Sequence, residues 1–365
     1  MSDSKIKVLM ISLGCDKNLV DSEKMLGLLA DSGYEFTDDE QEADAAVVNT
    51  CCFINDAKQE SIDNLLQMAE LRKQGKIKAL VATGCLAERY REEIQKEIPE
   101  VDEILGTTAI DSLVSALNEI FAGRKVNHYA SLKALPLSSG RRIVSTGGHF
   151  AYLKIAEGCD KHCTYCIIPR VRGDYRSVPE EQLISEAEKL ADGGVRELIL
   201  VAQETTVYGT DLYGRKCLPE LLHRLCRIEG LKWIRVLYCY PEEIDGELIE
   251  TIASEPKICH YLDLPIQHAS NRILRSMGRR TSKEDLIRII SGIRTGIPDI
   301  CLRTTLITGF PGETEEEHQE LMDFVKEQKF DRLGVFTYSR EEDTPAASYP
   351  DQIRAQFKKK RQKQL

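Results

Sequence analysis

Short apolar runs alternate with amphipathic segments along most of this chain, and that rhythm leaves few architectures open. KVLMISLGC, AAVVNTC and ALVATGC each read as a strand buried on both faces, while VDSEKMLGLLADSG and the stretch from Asp56 to Arg72 read as the helices between them. Segments 88–98 and 110–122 add two helices around a short DEILGT strand. This order predicts an α/β fold over residues 1–125, a doubly wound parallel sheet with helices on both faces. From 126 to 148 the periodicity gives way to Ser, Gly and Pro, the composition of a linker. FAYLKIAEG then opens a second region, 149–345. Helices expected at 179–193, 218–229, 242–254, 283–295 and 314–328 alternate there with ELILVAQET, WIRVLYCYP, HYLDLPIQHAS, CLRTTLITGFPGE and RLGVFTYS. About six βα units make an incomplete (βα)6 barrel, whose working end is the carboxyl end of its strands. A basic segment, 346–365, closes the chain.

Cysteines mark those strand ends. Cys159, Cys163 and Cys166 follow the first strand of the second region in CxxxCxxC spacing. Three thiolates so spaced can hold a [4Fe–4S] cluster and leave one iron without a protein ligand, whereas four would suit plain electron transfer. Zinc is the competing reading, with His162 as a fourth ligand, but structural zinc favours two-residue gaps in each pair. The aromatic Tyr165 before the last cysteine adds weight to iron and sulfur. In the first region Cys15, Cys51 and Cys85 each end a strand-like run. Loops at the carboxyl ends of a parallel sheet share one crevice, so these three are expected to converge and hold a second cluster, again with one iron open. Spacing leaves Cys52 as an alternative to Cys51. The null for any one of them is a small buried core residue.

Composition narrows the setting. Twelve cysteines with no apolar leader and no membrane-length run predict a cytoplasmic protein whose clustered thiols are ligands rather than disulfides. The net charge of −10, from 49 basic and 59 acidic side chains, argues against nucleic acid as the main partner and suits a basic protein. Local exceptions are Arg170, Arg172 and Arg176 after the cysteine run, Arg279 and Arg280 in MGRRTS, and the KKKRQKQL tail; charge runs are most often solvated faces.

An open iron can chelate an amine and a carboxylate together, which points to S-adenosylmethionine as the cofactor doing the difficult step. Polar groups at other strand ends are placed to hold it. Gln203 and Glu204 can take its amino group; Gln267, His268 and Ser270 can reach its ribose; Gly309 and Gly312, in ITGFPGE, let the backbone approach a flat ring. Ordinary loop polarity and an ordinary strand-to-helix turn are the bland alternatives. Cysteines 217, 226, 239, 259 and 301 lack metal-like spacing and read as core, and His149, His260 and His318 have no partner that sequence identifies.

The CxxxCxxC run with Tyr165 resembles the radical S-adenosylmethionine superfamily. Taken with SLGCDKNLVDSE, NTCCFI and TGCLAE, the chain is similar to the methylthiotransferases, and GCDKNLVDSE, AQETTVYG, CYPEEI, YLDLPIQHAS and MGRRTS resemble the RimO type rather than the tRNA-modifying MiaB type. The likeness spans essentially the whole chain. It implies two [4Fe–4S] clusters, on Cys15, Cys51 and Cys85 and on Cys159, Cys163 and Cys166, with Tyr165 and the strand-end groups near S-adenosylmethionine. Cys52 stands where that family usually has glycine. The implied reaction is β-methylthiolation of an aspartate in a small-subunit ribosomal protein: one S-adenosylmethionine methylates a sulfur species at the auxiliary cluster and another yields the radical that opens the carbon. An electron donor such as flavodoxin or ferredoxin is implied too. Family members usually continue into a small β-barrel, the TRAM domain, and this chain stops at KKKRQKQL where that domain is expected to begin.

Overall fold

Residues 5–124, 128, 130–135 and 140–365 are described in the computed structural model of this chain. They fall into two units, Met1–Gly147 with Ile168–Asp174, and Gly148–Ile167 with Tyr175–Leu365. The first holds β1 (Lys7–Ser12), α1 (Asp16–Asp31), β2 (Glu35–Phe36), β3 (Ala45–Thr50), α2 (Asn55–Lys73), β4 (Ala79–Thr83), α3 (Gly84–Arg89), α4 (Arg91–Glu97), β5 (Glu103–Leu105), α5 (Leu113–Phe121) and α6 (Ile168–Arg172). Its strands form one parallel sheet in the order β2-β1-β3-β4-β5. In such doubly wound sheets the crevice opens at the carboxyl ends, where strand order reverses. β3 and β4 are buried at every position, which is why they read as unbroken apolar runs. Ala45, Val47, Ala79 and Val81 face a core shared with Met25 and Leu29 of α1 and Leu113 and Leu117 of α5. By alternation their neighbours face α2, whose Leu65 and Met68 are buried. Each large apolar side chain fully buried here stabilises by ~1.5–3 kcal/mol.

The stretch expected to be a linker is in part a strap on this unit. Arg142 donates through Nε and Nη2 to Glu23 Oε2 at 2.9 and 2.6 Å, and Ser145 donates through its backbone N–H and its Oγ to Glu23 Oε1 at 2.6 and 2.8 Å. Glu23, on α1, is wholly buried, so the strap neutralises a charge that would otherwise be stranded. Gly27 makes room for it: a Cβ there would lie 1.7 Å from the Arg141 carbonyl oxygen. Residues 126, 127, 129 and 136–139 of the expected linker lie outside the described residues.

The second unit runs β6 (Phe150–Lys154), β7 (Ala156–Glu157), β8 (Arg176–Ser177), α7 (Glu180–Asp192), β9 (Glu197–Val201), α8 (Thr210–Tyr213), α9 (Leu218–Cys226), β10 (Trp233–Val236), α10 (Gly246–Ser254), β11 (Ile258–Asp263), α11 (Asn271–Ser276), α12 (Lys283–Gly296), β12 (Cys301–Thr308), α13 (Glu315–Gln328), β13 (Arg332–Thr337) and α14 (Ala355–Gln364). Six strands pair in parallel in the order β13-β12-β11-β10-β9-β6. β6 and β13 are the two edges, so the barrel is open, as the count of βα units predicts. Capping boxes start α12 at Ser282 with Asp285 and α13 at Thr314 with Glu317. The basic tail is not a free charge run. It folds as α14 against β12 and β13, with Lys358 Nζ donating to the Tyr338 carbonyl and Gln362 Nε2 to that of Val335, each at 2.7 Å. Among the described residues no helix is long and apolar enough to cross a membrane.

Candidate functional site

The first unit brings Cys15, Cys51 and Cys85 to one end of its sheet. β1, β3 and β4 are neighbours with level carboxyl ends, Ser12 pairing with Asn49 and Asn49 with Thr83. A further bridge joins Thr50 to Gly84, so Cys51 and Cys85 each follow a paired residue. Gly14 at φ 90° and Gly84 at φ 88° precede two of the cysteines and turn each strand into its helix. Space also demands glycine there. A Cβ on Gly14 would stand 2.7 Å from Cys51 Sγ, and one on Gly84 2.4 Å from the Thr50 oxygen. Cys15 is exposed at the start of α1, whereas Cys51 and Cys85 are buried. Ser61 Oγ clamps Cys51, accepting from its N–H and donating to its carbonyl, both at 2.9 Å. Burial pushes the Cys51 thiol up to about 12, and its neighbours Cys85 and Cys15 add to that. Cys52 is buried too and also pushed up to about 12, by burial and then by Cys85, but its other close charge is Arg89.

The second triad sits on the loop after β7. Cys159 and Cys163 are buried and Cys166 is half-buried. The loop is held from both sides: Thr164 donates through its N–H to the Met277 carbonyl at 3.0 Å and through Oγ1 to that of Ser276 at 2.8 Å, and accepts from Ala346 N–H at 2.8 Å. Burial raises the Cys159 thiol to about 12, with Cys163 contributing. Tyr165 packs against Ile273, Met277, Phe310, Tyr338 and Ala346, so its ring helps fix the loop, and burial raises its hydroxyl well above the ordinary value. Tyr240 Oη lies 3.4 Å from Cys163 Sγ. His162 is exposed at φ 50°, away from the role of a fourth zinc ligand. Among the described residues no three His, Cys, Asp or Glu side chains stand close enough to share one metal ion. Thiolates on a four-iron cube occupy separate corners, a wider spacing than the ligands of a single ion need.

Of the strand-end groups, some are open and others are committed to the fold. Glu204 is 1% exposed; its Oε1 accepts from Thr206 and Tyr240, while Oε2 has no hydrogen-bond partner and lies 3.9 Å from Lys161 Nζ. Burial raises this carboxyl to about 7, against the hydrogen bonds of Thr206 and the charge of Lys161. Gln203 donates to Glu157 at 3.2 Å and leaves its buried Oε1 unpaired. Gln267, at φ 69°, likewise has an unpaired Oε1. His268 is wholly buried, its Nδ1 accepting from Ser270 N–H at 2.9 Å and its Nε2 without a hydrogen-bond partner. Ser270 caps α11 and donates to Glu317 at 2.9 Å. Gly309 does not face an open slot, since a Cβ there would meet the Lys358 side chain of α14 at 2.5 Å. Gly312, at φ 75°, donates to the Asp351 carbonyl and accepts from Arg272 Nη2 at 2.7 Å.

Two arginines that look like surface charge in the sequence are interior. Arg279 is 5% exposed and stacks on Tyr240, its guanidinium carbon 4.0 Å from the ring centre. Nη2 reaches the Pro265 carbonyl at 3.0 Å, but Nε and Nη1 have no acceptor among the described residues. A buried guanidinium with two free donors beside Cys163 calls for an anion. Arg172, the other, lies in the first unit against the Cys85 thiol. The signal that could have found both is position, each within a short step of a cysteine loop or a strand end. His318, which had no partner in sequence, is wholly buried 3.4 Å from Glu313.

Gln203, Glu204, Gln267 and Arg279 each keep a buried polar atom without a hydrogen-bond partner among the described residues, acceptors on the first three and donors on the last. Residues 153–325 match the radical SAM superfamily model, and residues 7–106 match a model described as uncharacterized protein family UPF0004. The chain is 61% identical over 360 residues to the ribosomal protein uS12 methylthiotransferase RimO of Lachnoclostridium phytofermentans, covering 99% of this chain and 82% of that protein. It is 53% identical to the RimO of Clostridioides difficile, covering 99% and 81%. Among solved structures, the radical S-adenosylmethionine methyltransferase TsrM of Kitasatospora setae, with cobalamin and a [4Fe-4S] cluster bound, aligns at a TM-score of 0.66 and 16% identity over 94% of this chain and 77% of that one.

Proposed function

We propose that this chain, which belongs to the RimO family of ribosomal protein uS12 methylthiotransferases, places a methylthio group on the β-carbon of an aspartate in that ribosomal protein. It is a transferase of the radical S-adenosylmethionine class and uses [4Fe–4S] clusters. The observation that supports the finer reading is the triad of the first unit, Cys15, Cys51 and Cys85, which follow the level ends of β1, β3 and β4. Cys15, Cys51 and Cys85 hold the auxiliary cluster, and Cys159, Cys163 and Cys166 hold the other. What the bound groups supply is one-electron chemistry on an unactivated carbon, and the sulfur and methyl placed there.

The chain's own residues prepare that chemistry. Glu204 and Gln203 accept from the cofactor's amino group, Arg279 pairs with its carboxylate through Nε and Nη1, and Gln267 faces its ribose. Tyr165 and Thr164 keep the cysteine loop in place. Lys161, 3.9 Å from Glu204, favours the ionised form that an ammonium needs. The acidic surface suits a basic ribosomal protein rather than nucleic acid. A flavodoxin or ferredoxin supplies electrons, and the setting is the cytoplasm.

A side-by-side anaerobic assay tests the substrate. Reconstituted protein is given S-adenosylmethionine, a reductant and either recombinant uS12 or unmodified tRNA, and mass spectrometry follows both. A methylthio-sized mass gain on one uS12 aspartate is expected; modification of tRNA alone would sink the reading.

A further inference from the structure

Arg172 is 1% exposed, and all three arms of its guanidinium are engaged within the first unit. Nη1 donates to Asp21 Oδ2 at 2.9 Å and Nη2 to Asn18 Oδ1, both on α1, while Nε donates to Cys85 Sγ at 3.4 Å. Asn18 is fixed in turn, its amide donating to the Leu13 carbonyl at 2.9 Å and that of Thr50 at 3.0 Å. Those carbonyls belong to the turns that carry Cys15 and Cys51. One network therefore joins the arginine to the turns that lead into two of the cysteines and to the sulfur of the third. Asp21 is 2% exposed, and Arg172 is one of the groups that balance its buried charge. α6, which carries Arg172, packs on α3, which carries Cys85, and the Val171 carbonyl is pinned by Thr107 Oγ1 at 2.9 Å.

A donor this rigid does more than brace a side chain. An N–H directed at a cluster sulfur stabilises the reduced state, which has one more negative charge, over the oxidised state, and hydrogen bonds to sulfur are among the factors that set cluster potentials. Burial strengthens the effect because little water screens it. We infer that Arg172 is a positioning residue of the Cys15–Cys51–Cys85 site, holding Cys85 in register and raising the reduction potential of the cluster there through its bond to that sulfur. This rests on the proposed function, and the competing possibility is an arginine that merely braces α6 on Asp21.

The test uses the full chain with Cys159, Cys163 and Cys166 replaced by Ala, so that one cluster forms. After anaerobic reconstitution, iron and sulfide are counted, and the cluster is titrated with titanium(III) citrate and followed by electron paramagnetic resonance. Arg172→Gln is expected to lower the ratio of reduced to oxidised cluster at a fixed poise by tenfold or more, ~59 mV for a one-electron couple. Asp21→Asn, which removes the opposing carboxylate and keeps the donor, is expected to shift the ratio the other way. Arg172→Lys should recover part of the loss. Unchanged ratios in Arg172→Gln and Asp21→Asn, with about four irons retained, would reduce Arg172 to a brace and overturn the inference. If Arg172→Gln fails to hold a cluster, Asp21→Asn and Arg172→Lys decide by the same criterion. Absence of any cluster with Arg172 intact would instead count against the proposed auxiliary site itself.

Discussion

Arg361, on the last helix, places Nη1 3.5 Å from the carboxylate of Glu313 and donates to the Glu313 carbonyl at 3.0 Å. Glu313 also accepts from the Gly309 and Phe310 N–H groups, so it ties the end of β12 to α14. Burial alone would raise this carboxyl, but the neighbouring His268 and His318 and the charge of Arg361 overcome it and hold it at about 2. A depressed carboxyl stabilises the fold above its unfolded value of 4.5, and that contribution is lost as pH falls toward 2. Glu313→Gln should therefore cost ~2–3 kcal/mol at neutral pH. The gap to the parent should close between about pH 4.5 and 2 in denaturant unfolding; a gap independent of pH over that range would contradict the assignment.

Glu204 leads to the opposite sign. Its carboxyl, raised to about 7, is neutral in acid and charged above that. If it receives the cofactor's ammonium, S-adenosylmethionine should bind progressively more weakly as pH drops below about 7, with one proton competing for the site. Glu204→Gln should flatten that profile and weaken binding at pH 8 by about tenfold, the loss of roughly one charge-assisted hydrogen bond. Equilibrium dialysis across pH reads both; identical slopes in parent and variant would rule Glu204 out.

The two triads should separate by function. Cys163→Ala is expected to abolish reductive cleavage of S-adenosylmethionine to 5′-deoxyadenosine. Cys85→Ala should keep cleavage, lose sulfur insertion and hold about half the iron, close to four rather than eight atoms per chain. Product chromatography and iron analysis together check this. A Cys85 variant that methylthiolates at the parental rate would remove the second cluster from the scheme.

Gly84 offers a purely structural check on the same site. Alanine there would need φ near 88° and a Cβ 2.4 Å from the Thr50 oxygen and from Asn49 Oδ1. The expected cost is ~2 kcal/mol or more, read from denaturant midpoints, together with poorer cluster loading because Cys85 is the next residue. Gly75, at φ 73° with nothing near a Cβ, should lose less on the same change.

Most of the architecture is written in local pattern. β3 and β4 are legible because strands buried on both faces leave no polar break, and the cysteines that end them mark the crevice of a parallel sheet. The short elements escape for the converse reason: β2 has two residues and α6 five, too few to show a period. The expected linker hides its strap because Arg142 and Ser145 reach Glu23 across 119 and 122 residues. That Cys15, Cys51 and Cys85 come to one end of the sheet is legible from the strand pattern, whereas the burial of Arg172 and Arg279 is not, since whether an arginine is interior is decided by tertiary packing. His268, Ser270 and Gly309 carry fold roles that strand-end position does not reveal: a buried histidine contact, a helix cap and a close helix approach.

The return of Ile168–Asp174 to the first unit sets an order on the protein's own birth. A nascent chain can pair β1 to β5 once Leu105 has left the exit tunnel, yet Arg172, the partner of Asp21 and Cys85, emerges only after the whole CxxxCxxC loop. Until then Asp21 lacks this partner and α1 lacks one clamp. The amino-terminal module is thus finished by a segment made after the start of the next one, and a gene cut at the apparent boundary would yield a fragment with its own last piece missing.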